Sequence, residues 1–138
     1  MKRLYLLIIF FSLLLPACSS LEGEFAFRKN YDETYYRPVV PLEFSVNDDV
    51  KWVYRFKKTR RVPSTKVGII LMKRELVWVD IFTSSQDVSR SDPFVYGTIP
   101  RLSSGEYKIL LTDLKDQNRL IDEITFLIYE DESSTLRF

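Results

Sequence analysis

The chain contains no histidine and a single cysteine, Cys18. The first absence removes Ser-His-Asp and Cys-His catalysis, histidine acid–base chemistry and the usual zinc sites. The second excludes an intramolecular disulfide, so a fold built from this chain rests on its core alone. No GxGxxG or GxxxxGK[ST] pattern occurs, which leaves no phosphate-cradling loop of the nucleotide-binding kind. Glycine is scarce, at four residues, and no segment carries a sustained 3.6-residue apolar period, so helix is expected to be minor. An enzyme would be left with a pair of carboxylates, as in glycoside hydrolysis. Asp80, inside the apolar run LVWVDIF, is the acid expected to be partly buried. A carboxylate-dependent hydrolase is therefore the residual catalytic reading of a chain expected to be no enzyme.

Ten Phe, eight Tyr and two Trp give the chain its aromatic weight, and β-branched residues are plentiful. That composition suits pleated, half-buried strands. Charge is nearly balanced overall, with 20 basic and 19 acidic residues, but unevenly laid out. Residues 50–74 hold Lys51, Arg55, Lys57, Lys58, Arg60, Arg61, Lys66, Lys73 and Arg74 and no acidic residue.

The N-terminus begins Met1-Lys2-Arg3, continues as an uncharged run over residues 4–15 and ends at Pro16-Ala17-Cys18. A positive start, an apolar stretch and a small residue at the cut mark a secretory signal. The run falls short of the roughly 20 apolar residues a spanning helix needs. Leu15-Pro16-Ala17-Cys18 resembles the lipobox of bacterial lipoproteins. The resemblance implies cleavage after residue 17, a covalent diacylglycerol on the Cys18 sulfur and an N-acyl chain on its amine, with no other cofactor. Two or more acyl chains are what stable anchoring requires. Ser19 and Ser20 follow where the family's inner-membrane retention rule would place an aspartate, which implies the outer membrane of a diderm bacterium.

The expected organisation is a signal peptide over residues 1–17, a lipidated N-terminus and tether over 18–37, a β domain over 38–130 and an acidic flexible tail over 131–138. Part of the tether, with Phe25, Phe27, Tyr31, Tyr35 and Tyr36, is equally readable as docked on the domain. Within the domain, strands are predicted at 39–46, 50–57, 67–72, 76–82, 94–99, 106–112 and 120–129, from alternation and bounding turn residues. The strands at 67–72 and 76–82 are apolar on both faces and are expected mid-sheet or under cover. Residues 83–93, TSSQDVSRSDP, read as the longest polar loop. Asp113, Asp116 and Asn118 offer oxygen ligands at a spacing that a calcium loop or a plain hairpin turn would share.

Seven such strands define an all-β, antiparallel two-sheet sandwich. Leu102-Ser103-Ser104-Gly105-Glu106-Tyr107 resembles the corner before the penultimate strand of immunoglobulin-like sandwiches, with Ile109 where antibody domains carry a cysteine. The resemblance implies that the Tyr107 hydroxyl bonds back to the backbone upstream; a transthyretin-like sandwich would read almost the same. Gly105, Tyr107, Trp52 and Trp78 are the expected structural residues, and no metal ligands are assigned.

These readings point to a lipid-anchored, non-catalytic envelope protein acting as an interaction or assembly module. Arg55, Lys57, Lys58, Arg60 and Arg61, beside inward-alternating Trp52, Tyr54 and Phe56, are the candidate contacts to an envelope protein or an anionic surface. Export makes nucleic acid an unsuitable partner, and no small-molecule substrate is indicated. The alternative is a surface-exposed adhesin or glycan-binding lipoprotein using exposed aromatics and the 83–93 loop.

Overall fold

A computed structural model of the chain describes residues 21–131; the expected signal peptide, Cys18 and the tail beyond Asp131 lie outside the described residues. Eight strands follow in order: β1 (Gly23–Lys29), β2 (Glu43–Ser45), β3 (Val50–Phe56), β4 (Thr65–Arg74), β5 (Trp78–Val88), β6 (Phe94–Ile99), β7 (Gly105–Asp113) and β8 (Arg119–Tyr129). The only helical turn among the described residues is a 3₁₀ turn at Thr59–Arg61. The strands form two sheets, β1-β3-β6 and β2-β8-β7-β4-β5. All pairings are antiparallel except β2 with β8, where the short edge strand runs parallel.

Alternation builds the core. On β3, Val50, Trp52, Tyr54 and Phe56 point inward while Arg55 faces solvent. Val67, Ile69 and Leu71 of β4 meet Ile109 and Leu111 of β7 on the inner face of the larger sheet. Each such side chain, fully buried, stabilises the fold by about 1.5–3 kcal/mol before ordering costs.

The described part of the expected tether is not a tether. β1 pairs along its full length with β3, from Gly23 opposite Phe56 to Lys29 opposite Val50. Phe25 and Phe27 are buried, and Phe27 is fully so. Phe27 meets Phe44 of β2 at 5.5 Å between ring centroids, and Phe44 meets Phe126 of β8 at 5.9 Å, joining the two sheets on this flank. The outer edge of β1 is covered as well, because Phe27 and Tyr36 exchange both backbone hydrogen bonds. The domain thus includes β1, and its expected start at residue 38 falls too late. The strand expected at 39–46 shrinks to Glu43–Ser45, since Pro41, which follows a cis peptide bond, lies before the ladder begins.

Two further expectations change on the other flank. β5 runs on through Val88, so residues 83–88 of the expected polar loop are strand, and the loop shortens to residues 89–93. β4 does lie mid-sheet, between β7 and β5, but β5 is an edge strand with Val79, Ile81 and Phe82 exposed. A bulge at Leu71/Met72 against β5 leaves Ile81 as the extra residue there. Asp80 is exposed on that edge rather than partly buried. The buried acid is Asp113 at the end of β7.

Candidate functional site: an open flank and a basic end

One flank of the sandwich is sealed by the aromatic contacts above. The other, between β5 and β6, is open. The two edge strands stand apart there, leaving a cleft of about 260 Å³ floored by Ile69, Leu71 and Ile109 and walled by Phe82, Trp52 and Ile99. Gly97 on β6 permits this shape, because a Cβ there would meet the Trp52 indole at 2.9 Å. No fully buried polar side-chain atom among the described residues lacks a partner. The Trp52 ring lines this cleft.

At one end of the cleft a single side chain bridges the edges. Gln86 of β5 donates from Nε2 to the Phe94 carbonyl at 3.4 Å, and the Tyr96 N–H donates to Gln86 Oε1 at 3.2 Å. The carboxamide therefore occupies the place of a neighbouring strand's peptide group. By alternation the next outward-facing backbone rung of β6 belongs to Thr98. The Thr98 rung has no partner among the described residues.

The cations of the sequence-defined basic stretch divide. Arg55 pairs with Glu24 of β1 at 3.3 Å, and Arg37 shares that carboxylate at 3.2 Å. Lys57 pairs with Glu22. The hydrogen bond and charge of Lys57 lower the Glu22 pKa, and Glu22 raises that of Lys57 by the same two causes. Lys58, Arg60 and Arg61 are exposed and make no ion pair among the described residues. Lys73 and Arg74 lie at the far end of β4 beside Glu75 and Glu106, and Lys51 lies at the start of β3, so the nine cations do not form one patch. Lys66 and Lys115 join the unpaired group spatially: Lys115 Nζ donates to the Ser64 carbonyl at 3.5 Å, and Lys66 accepts the Leu114 N–H at its carbonyl. Asp87 lies opposite Lys66 in the ladder.

Asp113 has a structural task. Its Oδ1 accepts from Thr65 Oγ1 at 2.7 Å and from the Lys115 N–H at 3.1 Å, tying the β7–β8 turn to β4. No group of three or more potential metal ligands occurs among the described residues. Trp78 is half-buried on the outer face, with Lys108 Nζ 4.4 Å and Arg74 Cζ 5.6 Å from its ring centroid.

Sequence reasoning missed Gln86, whose polar surroundings concealed a strand, and Gly97, although a glycine inside a strand run signals close approach. It also missed Glu22 and Glu24 as partners for the basic stretch.

At the corner before β7, Gly105 has φ +151° and the Tyr107 hydroxyl donates to the Ser103 carbonyl at 2.8 Å. The Tyr107 ring stacks on Phe126. Two sheets, minimal helix and this tyrosine back-bond define an immunoglobulin-like β-sandwich. The soluble domain of PmoD from Methylocystis sp. ATCC 49242 (Rockwell) is similar, with a TM-score of 0.54 at 9% identity over 78% of this chain and 90% of that one. An immunoglobulin-like protein from Pseudomonas aeruginosa is similar with a TM-score of 0.50 at 13% identity, again over 78% and 90%. Identities this low speak for the fold alone. No protein-family model matches the chain, and no curated protein matches it in sequence.

Proposed function

We propose that this protein is a lipid-anchored, non-catalytic module of the bacterial cell envelope that binds another envelope protein along its open β5–β6 flank. The anchor reading rests on the Leu15-Pro16-Ala17-Cys18 lipobox and the export signal before it. Among the described residues no helix is long and apolar enough to cross a membrane.

The observation that carries the binding surface is the Gln86 carboxamide on the β6 edge. It identifies the chemistry the edge accepts, a planar amide offering one donor and one acceptor. An extended segment of a partner supplies the same groups in series and would continue from Thr98. Its inward side chains would enter the apolar cleft between Phe82 and Trp52.

The test is crosslinking in the native host, followed by recovery of the lipidated chain and whatever is joined to it. Phe82 is half-exposed, so Phe82→Glu is expected to leave folding intact, checked by circular dichroism, and to abolish recovery of the crosslinked protein. Undiminished recovery with a folded variant refutes the flank as the docking surface.

A further inference from the structure

We infer that the end of the sandwich carrying Lys58, Arg60, Arg61, Lys66 and Lys115 lies against an anionic bilayer surface, so that the molecule stands on the membrane in one orientation. This deepens the lipid-anchor reading proposed above and rests on it.

Two independent features of the structure lead there. The first is the length of chain between the acylated residue and the folded body. Leu21 is already 1% exposed. Its carbonyl accepts the Tyr54 hydroxyl, and the carbonyl of Glu22 accepts the Lys57 N–H at 2.9 Å. Only Ser19 and Ser20 separate Cys18 from Leu21. Three residue steps reach at most about 11 Å even when fully extended. With Cys18 acylated, the point where the chain enters the core stays that close to the headgroups.

The second is what surrounds that entry point. Lys57 and Lys58 directly follow β3 beside Glu22, and the Thr59–Arg61 turn comes next. Ser64 and Thr65 then lead into β4, where Lys115 reaches back to Ser64 and Asp113 to Thr65. The cations named above therefore lie at the end where the chain enters. The acidic groups there are largely engaged: Glu22 with Lys57, Asp116 with Arg119, Asp113 within the turn. Glu24 is held by Arg55 and Arg37, Asp122 of β8 lies near Tyr54 and Lys57, Asp87 is opposite Lys66, and Asp92 shares the β5–β6 loop with Arg90. At the far end Asp32, Glu33, Asp48, Asp49, Glu75, Glu130 and Asp131 lie in or beside the turns and outnumber the cations there, Lys29, Lys51, Lys73, Arg74 and Arg101, so that end carries an acidic excess. The Debye length at physiological salt is about 8 Å. A leash of about 11 Å keeps the basic end within roughly that distance of the surface, where attraction to anionic lipid acts on it and repulsion turns the acidic end away.

The orientation can be read with spin labels on the full, lipidated chain in vesicles. Acylation blocks Cys18, so Ser64→Cys places the only free thiol at the basic end and Leu76→Cys, at a fully exposed position, places it at the acidic end. Mixed phosphatidylcholine–phosphatidylglycerol vesicles are compared with pure phosphatidylcholine. In the mixed vesicles the Ser64 label is expected to collide severalfold more with lipid-soluble oxygen, relative to a water-soluble nickel chelate, than the Leu76 label does. Charge reversal at Lys58, Arg60, Arg61 and Lys115 is expected to erase that contrast while the protein stays vesicle-bound and keeps its circular dichroism. Equal water exposure of both labels in the mixed vesicles overturns the orientation. Labelling of the wild-type chain at Cys18 overturns the anchor itself, a distinct result that removes the orientation with it.

Discussion

Gly97 of β6 lies against the indole of Trp52: a methyl group added there would come within 2.9 Å of Cζ2 and 3.1 Å of Nε1. The indole is 3% exposed and cannot move outward through its own sheet. Gly97→Ala is therefore expected to push Trp52 toward the cleft and to destabilise the fold by about 1–3 kcal/mol, the range for overpacking. Urea unfolding followed by tryptophan emission checks both parts, because Trp78 is the only other indole. Unchanged stability and emission would show that β6 relaxes around the methyl group.

Phe27 gives the sharpest test of where the domain begins. Its ring is fully buried against Phe44 and stacked near Phe25. Phe27→Ala is expected to cost about 3–5 kcal/mol, as large-to-small aromatic changes in cores do. A tether residue would cost nothing measurable in thermal unfolding.

The corner before β7 depends on Gly105 and Tyr107 in different ways. Tyr107→Phe keeps the ring on Phe126 and loses the bond to Ser103, for about 0.5–1.5 kcal/mol. Gly105→Ala meets the flexible Lys73 side chain at 3.3 Å and the Tyr107 ring at an ordinary 3.6 Å, but its φ of +151° strains any L side chain. About 1–3 kcal/mol is expected from that strain. Chemical denaturation of the two variants separates lost hydrogen bonding from backbone strain.

Tyr54 sets an alkaline limit. Burial first, and the charge of Asp122 second, raise its pKa well above the ordinary tyrosine value. Below about pH 10 the folded and unfolded chains both keep the phenol proton. Above that pH the unfolded chain releases it first, so this group's share of the stability is lost as pH rises toward the folded pKa. The slope is at most about 1.4 kcal/mol per pH unit. Tyr54→Phe is expected to flatten the fall in stability above pH 10 while losing the bond to Leu21, about 1 kcal/mol at neutral pH. Unfolding midpoints across the alkaline range, beside tyrosinate absorbance, measure it.

The parts of the fold that were legible in the sequence were those where one strand's pattern sufficed. Trp52, Tyr54 and Phe56 alternate with Lys51 and Arg55 because β3 has one face in the core and one toward solvent. β7 and β8 were readable because their turn is local. β1 was hidden because its alternation is short, Phe25 and Phe27 between charged flanks, and its partner lies in β3, over 20 residues on. β5 was hidden because its polar half serves an edge: Ser84 lines a cleft and Gln86 binds backbone, so neither needs to be apolar. The basic stretch showed its charges but not their partners, since Glu22 and Glu24 come from β1.

The contrast between the two flanks has a kinetic consequence. On the sealed side, opening must separate Phe27, Phe44 and Phe126 and also strip Tyr36 from the β1 edge. On the other side the only hydrogen bonds between β5 and β6 among the described residues are those of the Gln86 amide. Thermal breathing will start there, so the amide proton of Tyr96, held by the Gln86 carboxamide, will trade with solvent deuterium early. Those of β7, between β4 and β8 in the middle of the larger sheet, will be among the last.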